Sequence, residues 1–312
     1  MIVTVDLGYN YIWIDSLCII QPTQPTRDDM EVIVPDNSLS ASDWENECPR
    51  MASIFLNSDC TICATTTPDD KQRMLRYRDP ELHSPLQIDL PELKSRYYLF
   101  ATSQNPCNMK LERLQLFTRG WVTQEQLMSP RLLIFTGSGP VWICNDGVGT
   151  ELMPKLQRPK DARSIFKRKS LVANVLQPML IPHQHHVPQL SQDTFDATII
   201  RWYMHIVEPY SATQLTYQTD KLPALSGLAT MFRQRFGSRP DNRYFAGHWE
   251  GNSLLGSLSW TYSPVLEDRE RMRQPWVSKL GIGSQYVAPT WSVCVSNGSL
   301  LWSVNLVLYL LS

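Results

Sequence analysis

The most constraining stretch of this 312-residue chain is residues 11–21, YIWIDSLCIIQ, an almost continuous run of apolar and aromatic residues. A short run of this kind predicts a strand buried on both faces, as in the middle of a parallel sheet covered by helices. Asp15 is the exception, because a carboxylate within a buried strand costs free energy unless it is paired. Asp15 therefore either accepts structural hydrogen bonds or lies at the carboxyl end of the strand, where open α/β sheets bind ligands.

A helix and a second strand are predicted to follow. Ser42 begins a capping-box pattern, S-x-x-E, and apolar residues recur at helical intervals from Trp44 to Phe55. Pro49 either kinks this helix or begins a new one. Residues 60–66 are predicted to form a strand, and the order strand, helix, strand indicates a βαβ unit in a parallel sheet.

Regular elements are also predicted in the rest of the chain, with Pro130 ending one helix and Asp220 capping another. Residues 67–95 are predicted to be surface loop. The predicted elements are a strand over residues 96–102, a helix over 120–128, strands over 132–136 and 141–144, a helix over 195–207, a helix after Asp220 and a hairpin around Asn297-Gly298.

Residues 154–192 differ in composition from their surroundings, since they combine a basic run with a segment rich in Pro, His and Gln. This composition is typical of a boundary or a long insertion, and a basic run of this kind predicts a solvated surface. No set of histidines, cysteines and acids in the chain has the spacing of a metal site, so no metal is expected.

Bulk composition narrows the functional class. The net charge of −1 argues against a nucleic-acid-binding protein that relies on overall charge. The seven cysteines are odd in number, which favours reduced thiols and a cytoplasmic location over a disulfide framework. No secretory signal is visible at the start, and the apolar run at the end is too short to span a membrane.

Several of these segments together resemble the fungal heterokaryon incompatibility (HET) domain. The resemblance extends over most of the chain, in the order and spacing of the family. The matching segments are residues 11–21, 43–55, 61–64 and 119–135, followed by 215–216, 220–229, 244–249 and 289–292.

The resemblance implies a module that triggers regulated cell death in non-self recognition, after unlike fungal cells fuse. It implies a flavodoxin-like α/β fold, similar to the Toll/interleukin-1 receptor (TIR) domain, with a mainly parallel sheet flanked by helices. We accordingly expect a HET domain over residues 1–150, a linker or insertion over 151–194, and a mixed α+β region over 195–312 packed on the HET domain. The family's usual first strand has no counterpart, so the domain is expected to be truncated at its N-terminus.

Two glutamates are candidate catalytic residues. Some TIR domains cleave NAD with a helix-borne glutamate that follows a W-x-x-E pattern, and Trp44 and Glu47 reproduce that spacing. Such a reaction passes through an oxocarbenium-like state that a carboxylate stabilises, and it needs no metal. The alternative for Glu47 is a first-turn helix acid paired with Arg50. Glu125 is the second candidate, and its alternative is a polar contact that fixes its own segment against the sheet.

The candidate residues for binding NAD as a substrate are Asp15, Trp44, Arg119, Trp121 and Arg131. The two arginines are suited to a phosphate, and Trp121 to stacking on a base, whereas their structural alternatives are ion pairs and core packing. Three hypotheses follow: a death-inducing module acting by association with itself or a protein partner, an NAD glycohydrolase using Glu47, and an inactive truncated relative. No cofactor is required by the first.

Overall fold

The computed structural model describes two compact units, residues 1–51 and 52–312, and each is treated by itself. The described residues are 2–23, 26–28, 31–33, 37–65, 74–75, 78, 86–90, 95–99, 105, 108–161, 164–176, 192–236, 243–251, 254–258, 260–262 and 300–302. None of the helices within these ranges is both long and apolar enough to cross a bilayer.

Unit 1 consists of short helices and one small hairpin. Strands β1 and β2 pair with each other in an antiparallel arrangement, and no other strand of the described residues joins them. The elements are α1 (Ile2–Asp6), α2 (Asp15–Cys18), β1 (Thr26–Asp28), β2 (Glu31–Ile33) and α3 (Ser38–Glu47).

The predicted buried strand over residues 11–21 is wrong. Residues 11–14 have no regular structure, α2 follows directly, and the Tyr11 side chain is 92% exposed. The hydrogen bonds that form α2 are local: Cys18 N donates to the Ile14 carbonyl at 2.8 Å, and Ser16 N donates to the Asp15 carboxylate at 2.7 Å. An aspartate at a helix start favours this turn over an extended ladder, and the predicted βαβ unit is therefore absent.

The helix after this stretch carries the predicted irregularity at Pro49. Helix α3 ends at Glu47, a 3-10 turn spans Cys48–Arg50, and α4 (Met51–Leu56) continues the chain. Proline has no N–H to donate and its ring crowds the preceding turn, so the backbone tightens there before the helix resumes. Helix α3 begins at Ser38, four residues before the capping-box serine, so that part of the prediction is wrong.

Unit 2 contains a four-stranded sheet. Its order is β3-β6-β7-β8, with β3 parallel to β6 and the other two pairs antiparallel. The strands are β3 (Thr61–Ala64), β6 (Leu132–Thr136), β7 (Gly139–Cys144) and β8 (Gly147–Thr150), so the three strands predicted in these segments are confirmed. The remaining strands are β4 (Leu86–Leu90), β5 (Ser95–Leu99), β9 (Tyr244–Phe245), β10 (His248–Trp249), β11 (Trp260–Tyr262) and β12 (Leu300–Trp302).

The α/β class is confirmed, but the sheet is mostly antiparallel where a mainly parallel one was predicted. The reason is local, because two residues separate β6 from β7 and two separate β7 from β8. Connections this short can only join antiparallel neighbours, since a parallel crossover needs a dozen residues or more.

One face of this sheet packs on helices and forms the core of the α/β part of unit 2. Leu132, Ile134 and Ile143 are fully buried there. They share a cluster with Phe117, from the 3-10 turn Gln115–Thr118, and with residues of α5 (Val122–Met128) and α6 (Ile165–Leu176). The alternation of buried and half-buried residues along β6 and β7 is what a strand with one core-facing side predicts.

A second group of helices surrounds an aromatic cluster. The elements are α7 (Gln192–Trp202), a π-helical turn (Tyr203–Val207), α8 (Glu208–Ser211), α9 (Pro223–Phe236) and α10 (Leu254–Leu258). Trp202 is completely buried, with its ring edge-on to Phe232 and Trp249. The predicted helix over residues 195–207 is confirmed, and Pro209, which lacks an N–H for the preceding turn, accounts for the widened π turn.

Three other sequence predictions have different outcomes. Residues 67–95 were expected to be loop, but β4 lies within them and pairs with β5. Asp220 does not cap the next helix, since it belongs to a 3-10 turn, Gln218–Lys221, and α9 begins at Pro223. The hairpin predicted around Asn297-Gly298 lies outside the described residues.

Candidate functional site

Four of the predicted site residues lie on one continuous segment of unit 2, around helix α5. Arg119 and Trp121 precede the helix, Glu125 lies within it, and Arg131 follows it just before β6. Helix α5 packs against α6 and α9, and almost every residue from Val122 to Ser129 is buried. The predicted helix over residues 120–128, ended before Pro130, is confirmed.

The start of α5 is joined to the segment before α9 by backbone contacts. Gly120 N donates to the Gln214 carbonyl at 2.8 Å, and Gln214 N donates to the Thr118 carbonyl at 2.7 Å. A Cβ added at Gly120 would lie 2.5 Å from Leu215 Cδ2, so a side chain at this position would collide with the packed leucine. The glycine of the Arg-Gly-Trp sequence is therefore explained by close packing.

Trp121 strengthens the same connection. Its indole N–H donates to the Asp220 carboxylate at 3.0 Å, while the Tyr210 hydroxyl donates to the Lys221 carbonyl at 2.8 Å. A hydrogen bond to a charged acceptor contributes about 1.5–3 kcal/mol. The half-buried Trp121 thus joins two segments that the sequence resemblance had picked out separately, residues 119–135 and 220–229.

The middle of α5 approaches α9 very closely. Gln124 is 1% exposed, and a Cβ added at Gly227 of α9 would lie 2.5 Å from its Oε1 and 2.5 Å from the Ala52 Cβ. Neither side-chain polar atom of Gln124 has a hydrogen-bond partner among the described residues. A buried amide of this kind lowers stability, so Gln124 is held there by the packing of the surrounding helices.

A buried lysine lies at the other end of α5. Lys169 of α6 is 2% exposed, and its ammonium donates to the carbonyl of Ser129, the C-cap residue that follows α5. The carbonyl end of a helix carries partial negative charge, so it is a favourable place for a cation. The Ser129 hydroxyl also donates to the Glu125 carbonyl at 2.6 Å and contacts the Thr61 hydroxyl of β3 at 2.6 Å.

Burial lowers the pKa of Lys169 to about 8, and the neighbouring Cys144, Cys63 and Cys60 partly oppose this shift. Burial also raises the pKa of the Cys63 thiol, and nearby Glu125 adds to that effect. Because a thiol with a raised pKa is neutral at neutral pH, Cys63 does not supply a counter-charge there. The hydrogen bond to the Ser129 carbonyl, at the end of α5, contributes to the stabilisation of the ammonium.

The expectation of a solvated basic run holds for Lys155, Arg158, Lys160 and Lys167, which are exposed, but not for Arg168 and Lys169, which are buried. Burial lowers the pKa of Arg168 to about 10, with Glu112 opposing the shift. A comparable contact occurs at the end of α6, where Arg235 of α9 donates to the Val175 carbonyl at 3.1 Å. The spacing Ile165, Lys169, Val172 is that of one helix face, which is the signal in the sequence that could have placed the lysine inside.

The two arginines and the acid of this segment are more exposed. Arg131 is exposed, with Nη1 donating to the Asp59 carbonyl at 3.1 Å, and Arg119 is exposed. Glu125 is half-buried. The structure therefore positions Trp121 and Arg131 through contacts within the protein.

The other predicted site residues belong to unit 1. Glu47 is the last residue of α3, and its carboxylate forms an ion pair with Arg50 at 2.5 Å. Arg50 is the partner that the sequence predicted. The predicted first-turn position is wrong, because Glu47 is the last residue of α3. The helix macrodipole is unfavourable for a carboxylate at this end, and the ion pair with Arg50 offsets that cost. Trp44 is half-buried one turn earlier, and Asp15, exposed, accepts the Ser16 N–H.

Comparison with known proteins finds one family match, which covers the first part of the chain. Residues 1–125 match the family model described as heterokaryon incompatibility protein (HET), which confirms the resemblance inferred from the motifs in that stretch. Neither a curated protein nor a solved structure matches the chain. No group of three or more His, Cys, Asp or Glu residues suited to a metal occurs within the described ranges.

Replacing Lys169 with Met should change stability in a pH-dependent way. In the wild type, the unfolded lysine keeps its proton up to about pH 10.5 and the folded lysine only to about pH 8. Between these values the unfolded state binds more protons, so the Lys169 contribution to the unfolding free energy rises with pH. We expect the wild type to gain about 1–2 kcal/mol relative to Lys169→Met between pH 7.5 and 9.5, measured by urea unfolding.

The matched control is Lys167→Met, which removes an exposed lysine from the same helix. The difference in unfolding free energy between Lys167→Met and the wild type should not vary with pH. A pH-independent difference for Lys169→Met as well would contradict the assignment of a buried, destabilised ammonium.

Proposed function

We propose, from the HET match over residues 1–125, that this chain is a heterokaryon-incompatibility-type module that triggers regulated cell death in non-self recognition. It acts in the cytoplasm through association with itself or with a protein partner. The proposal retains the predicted organisation of a HET domain over residues 1–150, an insertion over 151–194 and a C-terminal region over 195–312.

The observation that carries the association mechanism is the apolar surface of unit 1. Among the described residues of unit 1, nine large apolar side chains are exposed, including Tyr11 at 92% and Leu17 at 74%. Both lie in the segment that most resembles the family. Exposed apolar residues concentrated in a short stretch mark protein-binding surfaces, because solvation of such a surface is unfavourable.

The contacts of Glu47 also favour association over catalysis. Its carboxylate is paired with Arg50, the pairing that its structural alternative predicts. A carboxylate held by an adjacent cation is less available to stabilise a developing positive charge on a substrate. One observation favours an NAD glycohydrolase as the second candidate function. Trp44 and Glu47 lie one turn apart on α3, and both are partly buried.

Expression of the chain in fungal cells tests the proposed function. We expect loss of viability, and we expect the double substitution Tyr11→Ser with Leu17→Ser to abolish it, because the apolar contact area is removed without disturbing the core. Colony counts at matched protein levels provide the measurement. The control is Tyr217→Ser, which removes an exposed tyrosine from unit 2 and should leave killing unchanged.

Killing by the Tyr11→Ser, Leu17→Ser variant at the wild-type level would contradict the role of this surface. A wild-type chain that leaves viability unchanged would contradict the death function and favour the third hypothesis, an inactive relative.

Nicotinamide release by the purified chain separates association from catalysis. We expect no release from NAD above the buffer rate. If release occurs, the variants Glu47→Gln and Arg50→Gln test whether Glu47 is the catalytic residue. Both substitutions remove the same ion pair, worth about 0.5 kcal/mol, but only Glu47→Gln removes the carboxylate. Loss in Glu47→Gln together with retention in Arg50→Gln would establish the enzyme and overturn the association mechanism.

A further inference from the structure

The hairpin formed by β4 and β5 in unit 2 has one apolar face. Its register places Leu86 opposite Leu99 and Ile88 opposite Tyr97. Because side chains alternate along a strand, these four residues and Leu90 share one face, while Gln87, Asp89 and Tyr98 belong to the other.

This apolar face is open to solvent. Leu86, Leu90, Tyr97 and Leu99 are all exposed, and Ile88 is half-buried. The hairpin is a sheet of two strands within the described part of the chain, so its outer edges have no strand partner there. A two-stranded ribbon is marginally stable in water, and added strands stabilise it.

The outer edge of β4 suits pairing with a copy of itself. Strand β4 reads Leu-Gln-Ile-Asp-Leu, so apolar and polar residues alternate in the same order from either end. In an antiparallel pair of two β4 strands, apolar residues therefore face apolar ones and polar residues face polar ones.

A second copy of β4 fits this edge in one antiparallel register. With the two-fold axis at Ile88, each Ile88 faces its symmetry mate, Leu86 faces Leu90 of the partner, and Gln87 faces Asp89 of the partner. The Gln87 side-chain amide already approaches the Asp89 carboxylate within its own strand at 3.2 Å, which shows that these two groups are complementary. Moving the axis to Asp89 would instead place two carboxylates opposite each other, which is unfavourable.

We propose that β4 is a self-association edge, through which two copies of this chain form a continuous four-stranded antiparallel sheet. The pairing adds a ladder of backbone hydrogen bonds between the two β4 strands and buries part of Leu86, Ile88 and Leu90 against their counterparts. This inference rests on the proposed function in that it names a second copy as one associating partner, and it places that contact in unit 2.

Sedimentation velocity of the full chain over a concentration series tests the edge. The wild type should shift from monomer to dimer, and Ile88→Lys and Ile88→Asp should each raise the dissociation constant at least about tenfold, since like charges would face each other on the axis. An equimolar mixture of the two variants should recover the dimer, because opposite charges then meet. The control, Tyr217→Lys, should dimerise like the wild type.

Cross-linking reports the register. Ile88→Cys should give a disulfide-linked dimer under mild oxidation, because residues directly opposite in an antiparallel pair are close enough. Leu86→Cys should not, beyond the wild-type background, since its opposite residue is Leu90. A wild type that stays monomeric, a dimer unaffected by both charge variants, or equal cross-linking at positions 86 and 88 would overturn the proposal.

Sedimentation and viability separate this proposal from the proposed function. A chain that kills cells but is monomeric would reject the β4 edge and keep the death function. A chain that dimerises through β4 but leaves viability unchanged would support the β4 edge and reject the death function.

Discussion

The contact between the buried Lys169 side chain and the Ser129 carbonyl is the constraint that most limits how α5 and α6 pack in unit 2. A buried cation is destabilising, and the Ser129 carbonyl, at the end of a helix, offsets part of that cost. This contact fixes α6 against α5 next to the sheet core. It also makes the end of α5, with its hydroxyl contact to β3, a junction of helix and sheet.

The opposite end of α5 is held by a different kind of contact. Gly120 permits close packing of Leu215, and Trp121 donates to Asp220, so the segment that leads into α9 is joined to the start of α5. Residues that resemble a family signature thus have identifiable packing roles in unit 2. In unit 1, the resembling segment is exposed instead, and this contrast is why we attribute the association proposed for the HET module to unit 1.

Part of this structure could be predicted from the sequence because the signals were local. The short apolar runs over residues 132–136 and 141–144 and the stop at Pro130 located their elements correctly. Residues 11–21 failed because an apolar run does not specify a strand unless neighbouring strands are available, and here α2 forms around Asp15 instead. Lys169 was missed because charge was given more weight than helical spacing. The near contact of Gly227 with Gln124 depends on the tertiary packing of α9 on α5, which no local pattern encodes.

Native-state hydrogen exchange of the α5 amides tests most directly whether this helix organises unit 2. If it does, the amide hydrogens of Leu127 and Met128 exchange only when the whole unit opens, with the same free energy as those of Ile134 in β6. Exchange of the α5 amides through a local opening of lower free energy, while the β6 amides remain protected, would contradict this account.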